Sequence, residues 1–207
     1  MLLIGITGSI GMGKSTVATM FKEYDYGVYN ADDTVHYIYE NDSEVIEQIE
    51  RSFPGTTQSG KVNRRALRDV LNQTPTRFRE LENIVHPVTR KYQIVFIKKL
   101  IDEGKKGCVL DIPLLFETGG EKYIDISIVV TASDAVQQDR VVKERKVPLE
   151  IFNSIKNQQM PDREKLKKAD YIISTECDLE ETKAEVKEIV SKIKFINPKA
   201  WKMFFNQ

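Results

Sequence analysis

Leu2-Leu3-Ile4-Gly5-Ile6-Thr7-Gly8-Ser9-Ile10-Gly11-Met12-Gly13-Lys14-Ser15-Thr16 decides how this chain is read. Residues 2–6 form a short apolar run of the kind that makes a buried strand. Residues 8–15 then satisfy G-x-x-x-x-G-K-[ST] at every fixed position. Gly8, Gly11 and Gly13 let the backbone turn through positive φ and bring its N–H groups close to an anion. Lys14 has the reach for β- and γ-phosphates, and the Ser15 hydroxyl is a ligand for Mg²⁺. A helix is expected from about Lys14, since Val17, Met20, Phe21 and Tyr24 recur at i, i+3, i+4 and i+7. Its N-terminal end turns a positive potential toward the same phosphates. Strand, loop and helix follow in the order a phosphate-binding loop needs, which predicts a bound nucleoside triphosphate.

Outward from that stretch, 207 residues suffice for one domain, or one core with inserted subdomains. Lys plus Arg and Asp plus Glu both number 31, and this zero balance argues against a nucleic-acid-coating surface. No apolar run approaches the roughly 18 residues of a membrane span, and nothing resembles an export signal. Cys108 and Cys177 lack metal-ligand spacing; Cys108 lies in an apolar run and reads as a buried small residue. The expectation is a cytoplasmic, reduced protein with no nucleic-acid, membrane or obligate protein partner.

Strands are expected at 2–6, 28–30, 107–112, 126–131 and 171–174, alternating with helical patterns. That alternation predicts a doubly wound parallel α/β sheet of five strands, with ligands at the carboxyl ends. Residues 34–100 read as helical throughout. A polar turn is expected at 56–60, a helix N-cap at Thr76, and a helix break at His86-Pro87. So long a stretch without a clear strand reads as a helical subdomain inserted beside the core. A helix over 134–144 leads into a charged, proline-broken segment at 143–168, read as two short helices of a mobile flap. A helix over 179–194 closes the fold, and Trp201, Phe204 and Phe205 are expected to dock on the core. The division is therefore a core of 1–30, 105–138 and 169–207, a helical subdomain of 31–104, and a lid of 139–168.

Several residue types could carry chemistry. Asp32 and Asp33 follow the second strand, where one carboxylate can take a proton from an acceptor hydroxyl and the other can cap a helix. Asp111 ends an apolar strand, as does an aspartate supporting Mg²⁺ in a phosphate-loop enzyme; a strand-end hydrogen-bond acceptor is the alternative. Arg140, Lys143, Arg145 and Lys146 cluster where the flap begins and suit the charge developing on a transferred phosphoryl group. Arg64, Arg65, Arg68, Arg77, Arg79 and Arg90 stud the helical stretch and offer ligands for a phosphorylated acceptor, or simply a solvated surface. No guanine-reading Asn-Lys-x-Asp occurs, which disfavours a GTPase switch.

Separated stretches match one family. Residues 7–18, Asn30-Ala31-Asp32, residues 64–67, Leu81-Glu82-Asn83-Ile84-Val85-His86-Pro87 and Asp111-Ile112-Pro113-Leu114-Leu115-Phe116-Glu117 together resemble dephospho-CoA kinase. Gln137-x-x-Arg140 and Ala169-Asp170-Tyr171-Ile172-Ile173 fit it as well. The resemblance implies ATP-dependent phosphorylation of the ribose 3′-hydroxyl of dephospho-CoA, the last step of coenzyme A synthesis, with Mg²⁺. It implies Asp32 as base, with Lys14 and Arg140 on the transferred phosphoryl group. Gly8, Gly11, Met12, Gly13, Lys14, Ser15, Thr16, Arg140 and Thr175 would face the nucleotide. Asp32, Arg64, His86, Asp111 and Leu114 would face the acceptor, and Ser15 and Asp111 the metal. The chain departs from the family pattern at Asn30, where Asp is usual, at Ser154-Ile155, and at Thr175-Glu176-Cys177, where Asn-x-Gly is usual. A nucleoside or nucleotide kinase and an acceptor-free nucleotide switch are the competing readings.

Overall fold

The computed structural model describes residues 1–201, so Phe204 and Phe205 lie outside it, while Trp201 is half-buried. The chain forms two compact units: residues 1–29 with the chain from Lys98 onward, and Asn30–Ile97.

The first unit is built on five strands, β1 (Leu2–Thr7), β2 (Tyr26–Asn30), β5 (Gly107–Asp111), β6 (Ile126–Thr131) and β7 (Tyr171–Ser174), in the order β2-β5-β1-β6-β7. Ile4 lies opposite Val109 on one side and Ile126 on the other, and Val129 opposite Ile172, all in parallel register. β1 and β5 are buried at every position, because a parallel strand covered on both faces has no polar side to show. The two-residue period sorts β6. Ile128 and Val130 join Ile4, Ile6 and Val17 in one apolar cluster, while Val129 joins Leu115 and Phe116 in another. The first cluster is closed by α1 (Lys14–Met20), which runs on as a 3₁₀ turn at Phe21–Tyr24, and by α9 (Leu179–Ile193). Val186, Ile189 and Ile193 of α9 are buried there, and Asp178 caps it by accepting from the N–H of Glu181 at 2.9 Å. Each such side chain taken fully out of water contributes roughly 1.5–3 kcal/mol. The second face carries α8 (Asp162–Lys168), which places Leu166 against the Leu115–Phe116 cluster, while the preceding α7 (Leu149–Gln158) packs on residues 139–144.

The helix expected over 134–144 is only partly regular. α6 (Asp134–Gln138) gives way to a π-helical segment, Asp139–Glu144, which contains Arg140. Such wide turns rearrange the side-chain register and recur at functional sites.

The second unit contains α2 (Ala31–Asn41), α3 (Ser43–Ser52), α4 (Arg64–Gln73) and most of α5 (Phe78–Asp102) around Ile38, Ile49, Phe53, Leu67 and Leu71. Three expectations are corrected in it. The stretch 34–100 is not helical throughout: the turn expected at 56–60 belongs to a small hairpin, β3 (Thr57–Gln58) with β4 (Lys61–Val62). Ser59 and Gly60 both have positive φ, 52° and 72°, as a two-residue hairpin turn needs. Thr76 is not an N-cap, because Pro75 opens a 3₁₀ turn over Pro75–Arg77 and the long helix starts at Phe78. His86-Pro87 does not break that helix. Pro87 and Asn83 are both exposed, so the Asn83 carbonyl that loses its N–H partner can be hydrated. The buried face of Leu81, Ile84, Val85, Val88 and Tyr92 continues past the proline.

Candidate active site

The loop between β1 and α1 is shaped by its glycines. A Cβ at Gly8 would collide with the carbonyl oxygen of Val130. Gly13 is left-handed (φ 85°) as the residue before α1, where its missing side chain leaves the helix N–H groups accessible. Lys14 folds back over the loop and donates from Nζ to the carbonyl oxygens of Gly8 at 2.8 Å and Ser9 at 3.3 Å. Its ammonium is thereby held at the loop rather than dispersed in solvent. Ser15 Oγ donates to Asp111 Oδ2 at 2.8 Å, joining the start of α1 to the end of β5. This brings together a hydroxyl and a carboxylate, a hard-oxygen pair of the type that holds Mg²⁺ with water and substrate phosphates. Among the described residues no group of three or more His, Cys, Asp or Glu could hold a metal alone.

Arg140 reaches the same loop through Thr175. Its guanidinium donates to Thr175 Oγ1 at 2.8 Å and to the Thr175 carbonyl oxygen at 2.6 Å. Thr175 Oγ1 in turn donates to the carbonyl oxygen of Met12 at 3.0 Å. Gln137 and Val141 are fully buried, and Gln137 Nε2 donates to the carbonyl oxygen of Ile10 at 2.7 Å. A cavity of about 340 Å³ opens beside these groups, lined among others by Gly11, Gly13, Thr16, Arg140, Thr175 and Cys177. Ser133 holds the carboxyl of Glu176 below the usual carboxylate range, and Arg140 adds to the effect. Thr175-Glu176-Cys177, the departure from the family pattern, therefore anchors the arginine and lines the cavity. A second hollow of about 330 Å³ lies at the start of β6, beside Asp125 and Asp170. Those two carboxylates are occupied in holding strand starts: Asp125 accepts from the N–H of Leu3 and Asp170 from that of Ser127.

Residues that the sequence reading did not name as site residues also converge on the loop. Ser9 Oγ donates to Asp162 Oδ1 at 2.6 Å, and the N–H of Ile10 donates to Gln159 Oε1 at 3.0 Å. Lys165 is fully buried, with Nζ 3.1 Å from Glu117 Oε1 and 3.5 Å from Ser9 Oγ. Burial pushes the Glu117 carboxyl up, but the N–H of Met160 and the Lys165 ammonium outweigh it and leave it below the usual range. In the sequence Gln159, Asp162 and Lys165 stand only as part of a charged flap, and Glu117 only as the end of a family motif: a lysine in a charged run looks solvated until its neighbours in space are known.

In the second unit, Asn30 caps α2, its Oδ1 accepting from the N–H groups of Asp32 at 2.9 Å and Asp33 at 3.3 Å. Neither aspartate is the cap. Both are exposed in the first turn of α2. Arg64 opens α4 and is exposed, as is His86 on α5. Arg77 is structural: it lies over the Phe53 ring at 4.4 Å and pairs with Glu80 at 2.9 Å. In the first unit Leu114 is 41 % exposed just beyond Asp111.

A parallel sheet with a glycine-rich loop, a lysine and a serine–aspartate pair at its carboxyl edge defines a P-loop phosphotransferase. Residues 2–181 match the dephospho-CoA kinase family. A dephospho-CoA kinase of Rhodopseudomonas palustris is 45% identical over 190 residues, covering 92% of this chain and 94% of that one. Among solved structures, a Thermus thermophilus protein superposes with TM-score 0.78 at 31% identity, covering 93% of this chain and 97% of its own. The dephospho-CoA kinase of Campylobacter jejuni gives 0.68 at 26% identity, covering 93% and 96%. The chain belongs to the dephospho-CoA kinase family.

Proposed function

We propose that this chain transfers the γ-phosphoryl group of ATP to the ribose 3′-hydroxyl of dephospho-CoA, giving coenzyme A and ADP. One observation carries the reading. The phosphate loop, the Ser15–Asp111 pair and a loop-anchored Arg140 occur together in a chain matched to this family over residues 2–181. In the reaction the acceptor oxygen forms a bond to the γ-phosphorus while the bond to the β-bridging oxygen breaks, and the hydroxyl proton leaves. Asp32, at the family's base position, takes that proton as a carboxylate. The loop N–H groups and Lys14 hold the β- and γ-phosphates, and Arg140 neutralises charge on the group in flight. Ser15 and Asp111 are the residues that would hold Mg²⁺, which when bound neutralises phosphate charge.

The nucleotide base is assigned to the cavity beside Thr175 and Cys177, the lid to 139–168, and the acceptor side to Arg64, His86, Asp111 and Leu114. A cytosolic setting is supported by two free thiols, Cys108 and Cys177. Among the described residues no helix is long and apolar enough to cross a membrane. The test is ADP release from ATP with and without dephospho-CoA, with the product identified by mass. ADP formation that requires dephospho-CoA is expected. Equal release without acceptor, or a clear preference for a free nucleoside, would overturn the assignment.

A further inference from the structure

Lys165 is fully buried, and an ammonium taken out of water costs several kcal/mol even after relaxation. Stability alone does not call for such a group, because a buried ion pair is commonly replaceable by apolar residues at no loss. What distinguishes this one is its position. Glu117 lies just beyond β5 and Ser9 is the second residue of the phosphate loop, so the Lys165 Nζ joins both to α8. Beside it Asp162 accepts from Ser9 Oγ at 2.6 Å and Gln159 accepts from the Ile10 N–H at 3.0 Å. On the other side Gln137 donates to the Ile10 carbonyl oxygen at 2.7 Å. Ser9 and Ile10 are thus gripped from both sides, between glycines at positions 8 and 11 that have φ of 152° and 81°. A loop with so many glycines is free to wander when empty, and whatever order it lacks must be supplied when nucleotide binds.

We infer that Lys165, tied to Glu117, is a positioning residue that holds Ser9 and Ile10 in the phosphate-binding shape, so that residues 159–165 act as a clasp on the loop. This rests on the reading of residues 8–15 as the phosphate cradle. It also narrows the lid: the clasp belongs to the nucleotide site whether or not α7 moves. The ligand whose affinity the clasp sets is the triphosphate, and the acceptor is indifferent to it.

The test is a pair of variants in the full chain. Lys165→Met with Glu117→Gln removes both buried charges at nearly constant volume and leaves an acceptor for the Met160 N–H. Ser9→Ala leaves the ion pair and cuts the links that Lys165 and Asp162 make to the loop through the Ser9 hydroxyl. Calorimetric ATP binding, KM for each substrate and a thermal melt are measured for both. The double variant is expected to melt like the parent, yet bind ATP about tenfold more weakly, equivalent to about 1.4 kcal/mol. KM for dephospho-CoA stays within about twofold, and kcat at saturating ATP within about threefold, as expected for lost uniform binding. Ser9→Ala moves ATP affinity in the same direction. ATP affinity within twofold of the parent in a folded double variant overturns the inference. So does a lowered melt with both KM values raised together, the mark of a packing role. Lys14→Ala separates the two readings: if it binds ATP normally, the phosphate-cradle assignment itself has failed. If it does not, while the double variant does, only the clasp has failed.

Discussion

At the level of single residues, the site depends on a few groups whose partners are now defined. Lys14 Nζ donates to the loop carbonyl groups of Gly8 and Ser9, and its side chain fills no core position. Lys14→Ala should therefore leave the melting temperature within a few degrees while turnover falls on the order of 10²–10³-fold, the usual loss of a charge-stabilising contact. Normal turnover in a folded variant would remove Lys14 from the mechanism. Asp32→Asn keeps the shape and the Asn30 cap but cannot accept a proton, so kcat should fall on the order of 10²–10⁴-fold, with ATP affinity little changed. Asp33→Asn is the control. Because Asn30 and not Asp33 caps α2, the substitution forfeits only a helix-dipole interaction of roughly 0.3–1 kcal/mol. Steady-state kinetics of the two variants decide between the aspartates, and a crippled Asp33→Asn beside an active Asp32→Asn would reverse the assignment.

Elements show where local rules yield to packing. α5 runs from Phe78 to Asp102 through Pro87, because its apolar stripe is buried along the second unit and outweighs one missing hydrogen bond on the wet side. Restoring that bond with Pro87→Ala should stabilise the chain by about 1–2 kcal/mol, less than the full proline cost because the unfolded chain also gains freedom. Thermal melts measure this directly. A melting temperature at or below the parent's would mean that the proline ring itself packs usefully. The π-helical Asp139–Glu144 is the corresponding departure in the first unit. It places Val141 under the loop, beside Gln137 of α6, and carries Arg140 to Thr175. A 3.6-residue reading of 134–144 finds the helix and the arginine but cannot foresee the wide turn.

For the molecule as a whole, the core sets a limit on alkaline stability. Burial pushes the Cys108 thiol up to about 12 from an ordinary 9.0, against a smaller opposing effect of the Tyr29 backbone. A raised folded-state pKa means that the unfolded chain loses its proton first. Above pH 9 loss of that proton therefore stabilises the unfolded state, and stability falls as pH rises toward 12. At pH 10.5 this amounts to about 2 kcal/mol. Urea midpoints at pH 8 and 10.5 should drop further for the parent than for Cys108→Ala, a comparison that cancels the buried tyrosines Tyr26 and Tyr39, whose pKa values are also raised by burial. Equal drops would show that Cys108 ionises without cost.

The chain's own order of residues determines the phosphate loop, the five strands of the main sheet and the places of Asp111 and Arg140. These are short-range matters: runs of apolar residues, glycines at a turn and a helix periodicity are complete within a few residues of one another. Other features were decided only when distant parts met. Ser9 and Asp162 are 153 residues apart in the chain, and Ser9 and Lys165 are 156 apart, yet each pair is within hydrogen-bonding distance. Thr175 is 163 residues from the Met12 carbonyl that it bonds. Whether a lysine in a charged run is solvated or buried against a glutamate, and whether a proline ends a helix or rides on its wet face, depends on what covers it. Desolvation is a property of the environment in space, and neighbours in sequence do not specify it.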